Sequence, residues 1–196
     1  MRHRVLLGLT ITALLLTHAR ALEAAPVALA PSDLAVIRDP EVPDDARVLV
    51  RFEVPSEVRG ARVDLAVLEL QADIAAPDSV PGIFLDAFPL TTEWGSGTVD
   101  WREGWETPGG DMDGTVHASW IAEVGEQAML RFDLTDMLQG WSSGARENHG
   151  LTVRVAAGEV GALCADAGRG ADVAGARLSV WHTPTTAVAP AAPDEP

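Results

Sequence analysis

Two tryptophans, Trp105 and Trp120, are the side chains whose chemistry is easiest to interpret from the sequence. A flat indole ring can stack on the apolar face of a sugar ring, and it brings an N–H group for hydrogen bonding. Both residues fall within the polar stretch 102–123, which matches no predicted structural element. We therefore predict that Trp105 and Trp120 form a stacking platform for a ligand, with a lid over a site as the other use of tryptophans in loops.

A glycine-rich and aspartate-rich segment at 109–114 is the candidate metal site. In it Asp111 and Asp113 are one residue apart and Gly114 follows, which resembles the start of a calcium loop in which alternate carboxylates point at one cation. No glutamate follows at the spacing of an EF-hand, so that class of site is excluded. Structural calcium held by Asp111 and Asp113 and a solvated turn both remain open interpretations.

Residues that could support catalysis do not form a pattern. The histidines lack the short spacings of zinc ligands, and no Ser, His and Asp can be grouped by sequence into a catalytic triad. Carboxylate pairs suitable for a glycosidase can be found, but a chain with 29 acidic residues contains such pairs by coincidence. The pairs are Glu103 with Glu106 and Asp133 with Asp136. We predict that the chain is not an enzyme, and a polysaccharide hydrolase or lyase is the least favoured alternative.

The elements that must position these residues are strands, because apolar residues recur at every second position. In 47–54 the residues Val48, Val50, Phe52 and Val54 alternate with residues of the opposite face. The same pattern, bounded by turn residues, predicts further strands at 63–70, 82–88, 127–134, 151–156 and 176–181.

One short helix is predicted within this β pattern. It runs from Asp136 to Gln139, with Thr135 as the N-cap and Gly140 as the left-handed stop, after which Trp141 turns inward. Many short strands with so little helix predict an all-β fold, in which two antiparallel sheets pack as a jelly-roll-like sandwich with one short helix near residues 135–140.

The ends of the chain are predicted to lie outside this domain. Arg2 and Arg4 precede a run of about a dozen apolar residues that is too short to cross a bilayer and ends in Ala19-Arg20-Ala21. Residues 1–21 are therefore predicted to be a signal peptide, and the protein to be secreted and extracellular. Residues 22–31 and 183–196 are rich in Ala and Pro and are predicted to be a linker and a disordered tail, which leaves one domain at 32–182.

Charge and cysteine content restrict the partners further. The formal net charge is −15, and it becomes −18 when Arg2, Arg4 and Arg20 leave with the signal peptide, which argues against nucleic acid and anionic lipid as partners. Cys164 is the single cysteine, and no intrachain disulfide can form. A buried small hydrophobic residue is its favoured interpretation, with intermolecular pairing or a reactive thiol as alternatives.

A series of short segments resembles one known family. They are 48–55 with 60–70, Trp94 with 98–101, 132–141, 148–151 and 177–181. In this order they resemble DNRLRE-type domains, also called disaggregatase-related domains or family-ninety-six carbohydrate-binding modules, over nearly all of residues 33–182.

That resemblance implies a jelly-roll domain of secreted or cell-surface proteins, usually without catalytic activity, whose leading activity is binding of polysaccharide. It also implies that Trp94, Trp101 and Trp141 pack in the core. The expected function is therefore a secreted module that binds an extracellular polysaccharide by aromatic stacking and polar contacts. A structural or protein-interaction module of a cell-surface or matrix assembly is the alternative.

Overall fold

The fold is mostly β structure. The computed structural model of the chain describes residues 25–42, 44–164 and 175–185, and strands make up 46% and helix 6% of them. The strands are β1 (Val27–Leu29), β2 (Asp33–Arg38), β3 (Ala46–Arg51), β4 (Arg62–Ala75), β5 (Gly82–Pro89), β6 (Ala118–Glu123), β7 (Gly125–Asp133), β8 (Leu151–Val155), β9 (Ala162–Cys164) and β10 (Arg177–Thr183), and the helix is α1 (Thr135–Ser143). The predicted all-β class is confirmed.

The strands form two antiparallel sheets. The back sheet has the order β1-β10-β4-β7, with β9 also paired to β4, and the front sheet has the order β2-β3-β8-β5-β6. The chain crosses between the sheets at β1 to β2, β3 to β4, β4 to β5, β6 to β7, β7 to β8 and β8 to β9, so that strands distant in sequence become neighbours. This interleaving is that of a jelly roll, and it confirms the predicted two-sheet sandwich.

The main core lies between the two sheets. Strand residues of one parity from both sheets fill it, as expected for sheets whose side chains alternate between faces. Phe52 and Trp141, both predicted to be buried, are 1% and 6% exposed and belong to this core. Truncating such side chains typically costs about 3–5 kcal/mol, so these residues fix the sandwich geometry.

Four strands were not predicted from the sequence. β1 lies in the segment 22–31 that was interpreted as a linker, where Val27 and Leu29 pack against the main core and pair with β10. β2 pairs with β3 along six residues, β6 lies in the supposedly structureless stretch 102–123, and β9 has only three residues. The sandwich therefore begins before residue 32, and the front sheet is wider than the pattern of apolar residues indicated.

The helix is longer than predicted, and its capping differs. It continues past Gly140 and ends at Gly144, which adopts the left-handed conformation with φ +73°. Thr135 is not the N-cap but the first helical residue, and its hydroxyl accepts a hydrogen bond from the backbone N–H of Ala66. The helix continues past Gly140, and a hydrogen bond from Ser142 Oγ to the carbonyl of Val58 stabilises the additional turn.

Several predictions concern parts of the chain outside this description. The signal peptide 1–21, the tail beyond residue 185 and the side chain of Cys164 all lie outside the described residues. In the part of the chain that is described, no helix has both the length and the apolar character needed to cross a bilayer.

Candidate functional site

The outer face of the front sheet is half covered by the long connection from β5 to β6, residues 90–117. Beneath it Leu49 of β3 is fully buried, although its neighbours Val48 and Val50 point the other way into the main core. A second apolar cluster therefore forms outside the sandwich. Its members are Ala35, Ile37, Leu49, Leu90, Trp94 and Trp101, with Val99 and Trp105 packed against them. Trp94 and Trp101 are buried as predicted, but in this second cluster.

Two arginines of β3 attach the tryptophans of this connection to the sheet. The guanidinium of Arg47 lies 4.6 Å from the ring centroid of Trp101, and its Nη1 donates to the carbonyl of Gly109 at 2.7 Å. Arg51 lies over Trp94 at 5.6 Å and forms an ion pair with Asp33. Stacking of guanidinium on an indole face is favourable, most of all where water is excluded. These contacts turn a long connection into an ordered cover.

The glycine pair at 109–110 lets this cover lie close to the sheet. Gly109 has φ +89°, and a Cβ there would lie 2.5 Å from Cζ of Arg47. Gly110 has φ +106°, and a Cβ there would meet Leu90 at 3.3 Å and Trp105 at 3.9 Å. The backbone conformation favours glycine at both positions, and at Gly109 the close approach of Arg47 also excludes a Cβ. The Gly-Gly part of the segment that resembled a calcium loop therefore has a packing role.

An open groove lies along the exposed edge of this cover, and we name it the Trp105 groove. It has a volume of about 240 Å³. Its lining residues are Glu93, Trp94, Gly95, Thr98, Val99, Glu103, Gly104 and Trp105. A half-buried indole in an open groove offers one ring face to a ligand while the rest of the side chain remains anchored. Trp105 is thus placed as a stacking residue would be.

A turn centred on Asp100 fixes the orientation of Trp105. The backbone carbonyl of Asp100 accepts a hydrogen bond from Trp105 Nε1 at 2.9 Å. The carboxylate of Asp100 accepts the backbone N–H groups of Arg102 and Glu103, both at 2.6 Å. These hydrogen bonds, first from Glu103 and then from Arg102, hold the pKa of Asp100 below its ordinary value. The indole is therefore held by its nitrogen, and Glu103 is placed beside it.

Trp120 does not share a site with Trp105. It lies in β6 and shares a face with Ala118 and Ala122, which point into the main core, and its own half-buried ring packs there. Trp105 instead packs against the second cluster on the outer side of the front sheet. The expectation that Trp120 matches no structural element is wrong, because the outward-facing Ile121 breaks the apolar alternation of Ala118, Trp120 and Ala122.

The carboxylates of Asp111 and Asp113 are both bound by groups of the protein itself. Asp111 accepts Thr92 Oγ1 at 2.9 Å and the backbone N–H groups of Glu106 and Thr107 at 3.0 and 2.8 Å. Asp113 accepts the N–H and hydroxyl of Thr115 and forms an ion pair with Arg146 at 2.9 Å.

These two carboxylates do not converge with other acidic groups. No group of three His, Cys, Asp or Glu residues that could hold a metal ion occurs among the described residues. In the structure, Asp111 and Asp113 stabilise the 90–117 connection through these hydrogen bonds and the ion pair with Arg146. The calcium interpretation remains a prediction.

Lowering the pH should destabilise the 90–117 connection by protonating Asp111. Partial burial raises the pKa of Asp111, but the hydrogen bonds from Glu106, Thr107 and Thr92 outweigh it and lower the pKa overall. A lowered folded-state pKa means that the stabilisation is complete above the ordinary carboxyl pKa of about 3.9 and is lost as the pH falls through the folded value.

Asp111→Asn should therefore reduce the free energy of unfolding by about 1 kcal/mol at neutral pH, a low figure because the site is partly solvated. Urea denaturation at pH 7 and pH 3 checks this, and the difference from wild type should shrink at the lower pH. Asp78→Asn, at an exposed carboxylate without a partner among the described residues, is the control and should change little. An equal loss at both pH values would contradict the role of the ionised carboxylate.

The other half of the front face is uncovered and was missed by sequence reasoning. Phe84 is 46% and Ile121 58% exposed, and the two face each other across β5 and β6. Beside them Phe88 and His117 stack with centroids 5.6 Å apart, and Arg154 lies over Phe88 at 5.2 Å. The signal that could have revealed this face is the outward alternation of two phenylalanines in 82–88, a strand that was predicted correctly.

One carboxylate pair considered from the sequence lines a separate pocket of about 470 Å³. Asp133 and Asp136 line it together with Asp64 and His117. Asp133 already accepts the N–H and hydroxyl of Thr135, and Asp64 is bound to Thr183 and Arg62. These carboxylates serve the start of α1 and the end of β10, and nothing in their arrangement separates an acid from a base.

Searches with this sequence found no matching protein-family model and no matching curated protein. The residues of the site themselves provide an anchored indole in an open groove with two carboxylates on the walls.

Proposed function

We propose that this chain is a secreted, non-catalytic module of the DNRLRE type that binds an extracellular polysaccharide at the Trp105 groove. The observation that carries the proposal is the half-buried indole of Trp105, held through Nε1 at the carbonyl of Asp100 and lining an open groove. Stacking of a sugar ring on such an indole buries apolar surface without requiring the protein to change shape.

The polar groups around Trp105 suit the hydroxyl groups of a sugar. The carboxylates of Glu93 and Glu103 line the groove, are exposed, and have no hydrogen-bond or ion-pair partner among the described residues. Each can accept hydrogen bonds from ligand hydroxyls. An aromatic floor with free acceptors on the walls matches a ligand that has an apolar ring face and a polar rim.

The size of the groove favours a polymer over an enclosed small molecule. Pockets that enclose a small ligand usually measure about 300–1,000 Å³ and bury most of its surface. At about 240 Å³ and open to solvent, the Trp105 groove can contact only part of a chain. Affinity would then come from a long ligand that extends along the surface.

A non-catalytic role is supported by the exposure of Glu93 and Glu103. A glycosidase needs one carboxyl group kept protonated, usually by an apolar surrounding that removes it from water. Both groups lie on the open rim of the groove. They are suited to hydrogen bonding, and proton donation to a leaving group would need a drier site.

Truncation of Trp105 tests the proposal. Trp105→Ala should weaken binding about tenfold, since losing one stacked ring costs about 1.4 kcal/mol. The measurement is affinity electrophoresis of the exported protein in gels that contain soluble cellulose, chitin or xylan derivatives, and circular dichroism shows whether the variant folds. Trp105→Phe keeps a ring and should retain most of the binding.

Phe84→Ala is the matched control, because it also removes a partly exposed aromatic ring. Phe84 lies in β5, which is separated in the front sheet from β2 and β3 beneath the cover. Retention equal to wild type for Trp105→Ala, or a loss confined to Phe84→Ala, would refute the groove as the site.

A second candidate function is a protein-interaction role at the uncovered half of the front face. The exposed pair Phe84 and Ile121 favours it, because adjacent large apolar side chains in solvent often mark contact surfaces. Sedimentation of wild type and Phe84→Ser over a range of concentrations distinguishes the two functions. Self-association that Phe84→Ser abolishes, without any retention by polysaccharide, would favour the interaction role.

A further inference from the structure

The charged residues that line the Trp105 groove are all acidic. They are Glu93 and Glu103, and no arginine, lysine or histidine is among the lining residues. Neither carboxylate has a hydrogen-bond or ion-pair partner among the described residues, so both are free to meet a ligand. A site that binds an anionic polymer would need basic side chains in its lining.

The arginines nearest to this groove are already engaged elsewhere. Arg47 is buried against Trp101 and Gly109, Arg51 is paired with Asp33, and Arg102 is paired with Glu41 at 2.5 Å. Arg47 and Arg51 cannot move to neutralise a ligand carboxylate without giving up a contact that holds the cover, and Arg102, although more than half exposed, does not line the groove. The lining of the groove is therefore negative in character.

We infer that the Trp105 groove selects its polysaccharide by charge and prefers a glycan that carries protonated amino groups, such as an N-deacetylated amino-sugar polymer. This inference rests on the proposed function and names the ligand class of the same site. A sugar stacked on Trp105 directs its ring substituents sideways, and Glu93 and Glu103 are the groups that line the groove there.

The magnitude of the preference follows from exposed ion pairs. One exposed pair contributes little, and two such pairs should together tighten binding about three- to tenfold over a neutral glycan of the same length. The formal net charge of −15 acts in the same direction, because it raises the local concentration of cationic ligands and repels uronates. Both effects weaken as salt is added.

The experiment compares three soluble oligosaccharides of equal length by isothermal titration calorimetry. They are a cationic glucosamine oligomer, a neutral glucose oligomer and an anionic galacturonate oligomer. The titrations are run at a pH of about 5.5, at which the amino groups of the cationic oligomer are protonated. We expect the order cationic, neutral, anionic in affinity, with the cationic advantage reduced in about 0.5 M salt.

Charge-neutral variants separate the groove from the field of the whole protein. The double variant Glu93→Gln and Glu103→Gln keeps the shape of both side chains and should remove the cationic preference while leaving neutral binding within about twofold. The control double variant Glu123→Gln and Glu126→Gln changes the net charge by the same amount at exposed positions outside the groove, and it should retain the preference.

The outcomes distinguish this inference from the proposed function. Equal binding of cationic and neutral oligomers, tighter binding of the anionic one, or an equal loss of preference in both double variants would overturn the charge selection, while neutral binding that depends on Trp105 would still support the proposed function. Absence of binding by all three oligomers would count against both.

Discussion

Replacing Gly150 with alanine is expected to lower the free energy of unfolding by about 3 kcal/mol or more. Gly150 has φ +82°, and a Cβ there would lie 2.5 Å from the carbonyl oxygen of Val50 and within 3.1 Å of two carbon atoms of Arg51. All three atoms belong to β3, which is hydrogen-bonded to β2 on one side and β8 on the other and cannot move aside. Overpacking adds about 1–3 kcal/mol to the cost of a left-handed alanine.

Gly144→Ala is the matched control for this prediction. Gly144 also has a positive φ, +73°, but a Cβ there would meet no atom within 4 Å. It should therefore show the backbone cost alone, about 1 kcal/mol. Urea denaturation followed by tryptophan fluorescence measures both variants. If Gly150→Ala lowered the free energy of unfolding no more than Gly144→Ala, this result would contradict the close approach of the 148–150 turn to β3.

Much of the sandwich could be predicted because its sheets are half-buried. Where one face meets the core and the other meets solvent, apolar residues alternate, and 63–70 and 82–88 show this directly. The short edge strand β1 was not predicted, because three residues are too few to show a period and the alanine and proline around them suggest a linker. β6 was not predicted because Ile121 points outward and breaks the apolar alternation.

The candidate site could be predicted only in part, since its residues meet through tertiary contacts. Trp105 was found by its chemistry, whereas Glu93 comes from the other end of the connection and gives no local signal. The spacing of Asp111 and Asp113 could not distinguish a cation from protein donors, because a carboxylate oxygen can bind either. Two of the protein donors, Thr92 and Arg146, are 19 and 33 residues away from the aspartates that they bind.

Arg47 is the second position where a large effect is expected, because it joins the 90–117 connection to the front sheet. The residue is only 7% exposed, and burial lowers its pKa below the usual arginine value while the nearby carboxylate of Asp45 partly restores it. A hydrogen bond from a charged donor contributes about 1.5–3 kcal/mol, and a desolvated stack on an indole about 2 kcal/mol. Arg47 makes one of each, to Gly109 and to Trp101.

Arg47→Ala should therefore reduce the free energy of unfolding by about 3 kcal/mol, since the two contributions overlap and the buried charge also carries a desolvation cost. Arg47→Met restores the length of the side chain and should recover part of the loss, because it fills the space but leaves the carbonyl of Gly109 without its donor. Urea denaturation gives the magnitudes. Amide hydrogen exchange at Gly109 and Gly110 should accelerate in both variants.

The control for Arg47 is Arg102→Ala in the same connection. Arg102 forms an ion pair with Glu41 in which both side chains are more than half exposed, so its removal should cost no more than about 0.5 kcal/mol. Arg47 does not line the Trp105 groove. If polysaccharide affinity fell in Arg47→Met but stayed at the wild-type value in Arg102→Ala, the groove would depend on the anchoring of its cover. Full affinity in a measurably destabilised Arg47→Met would show instead that the turn at Asp100 holds Trp105 in place without help from the sheet.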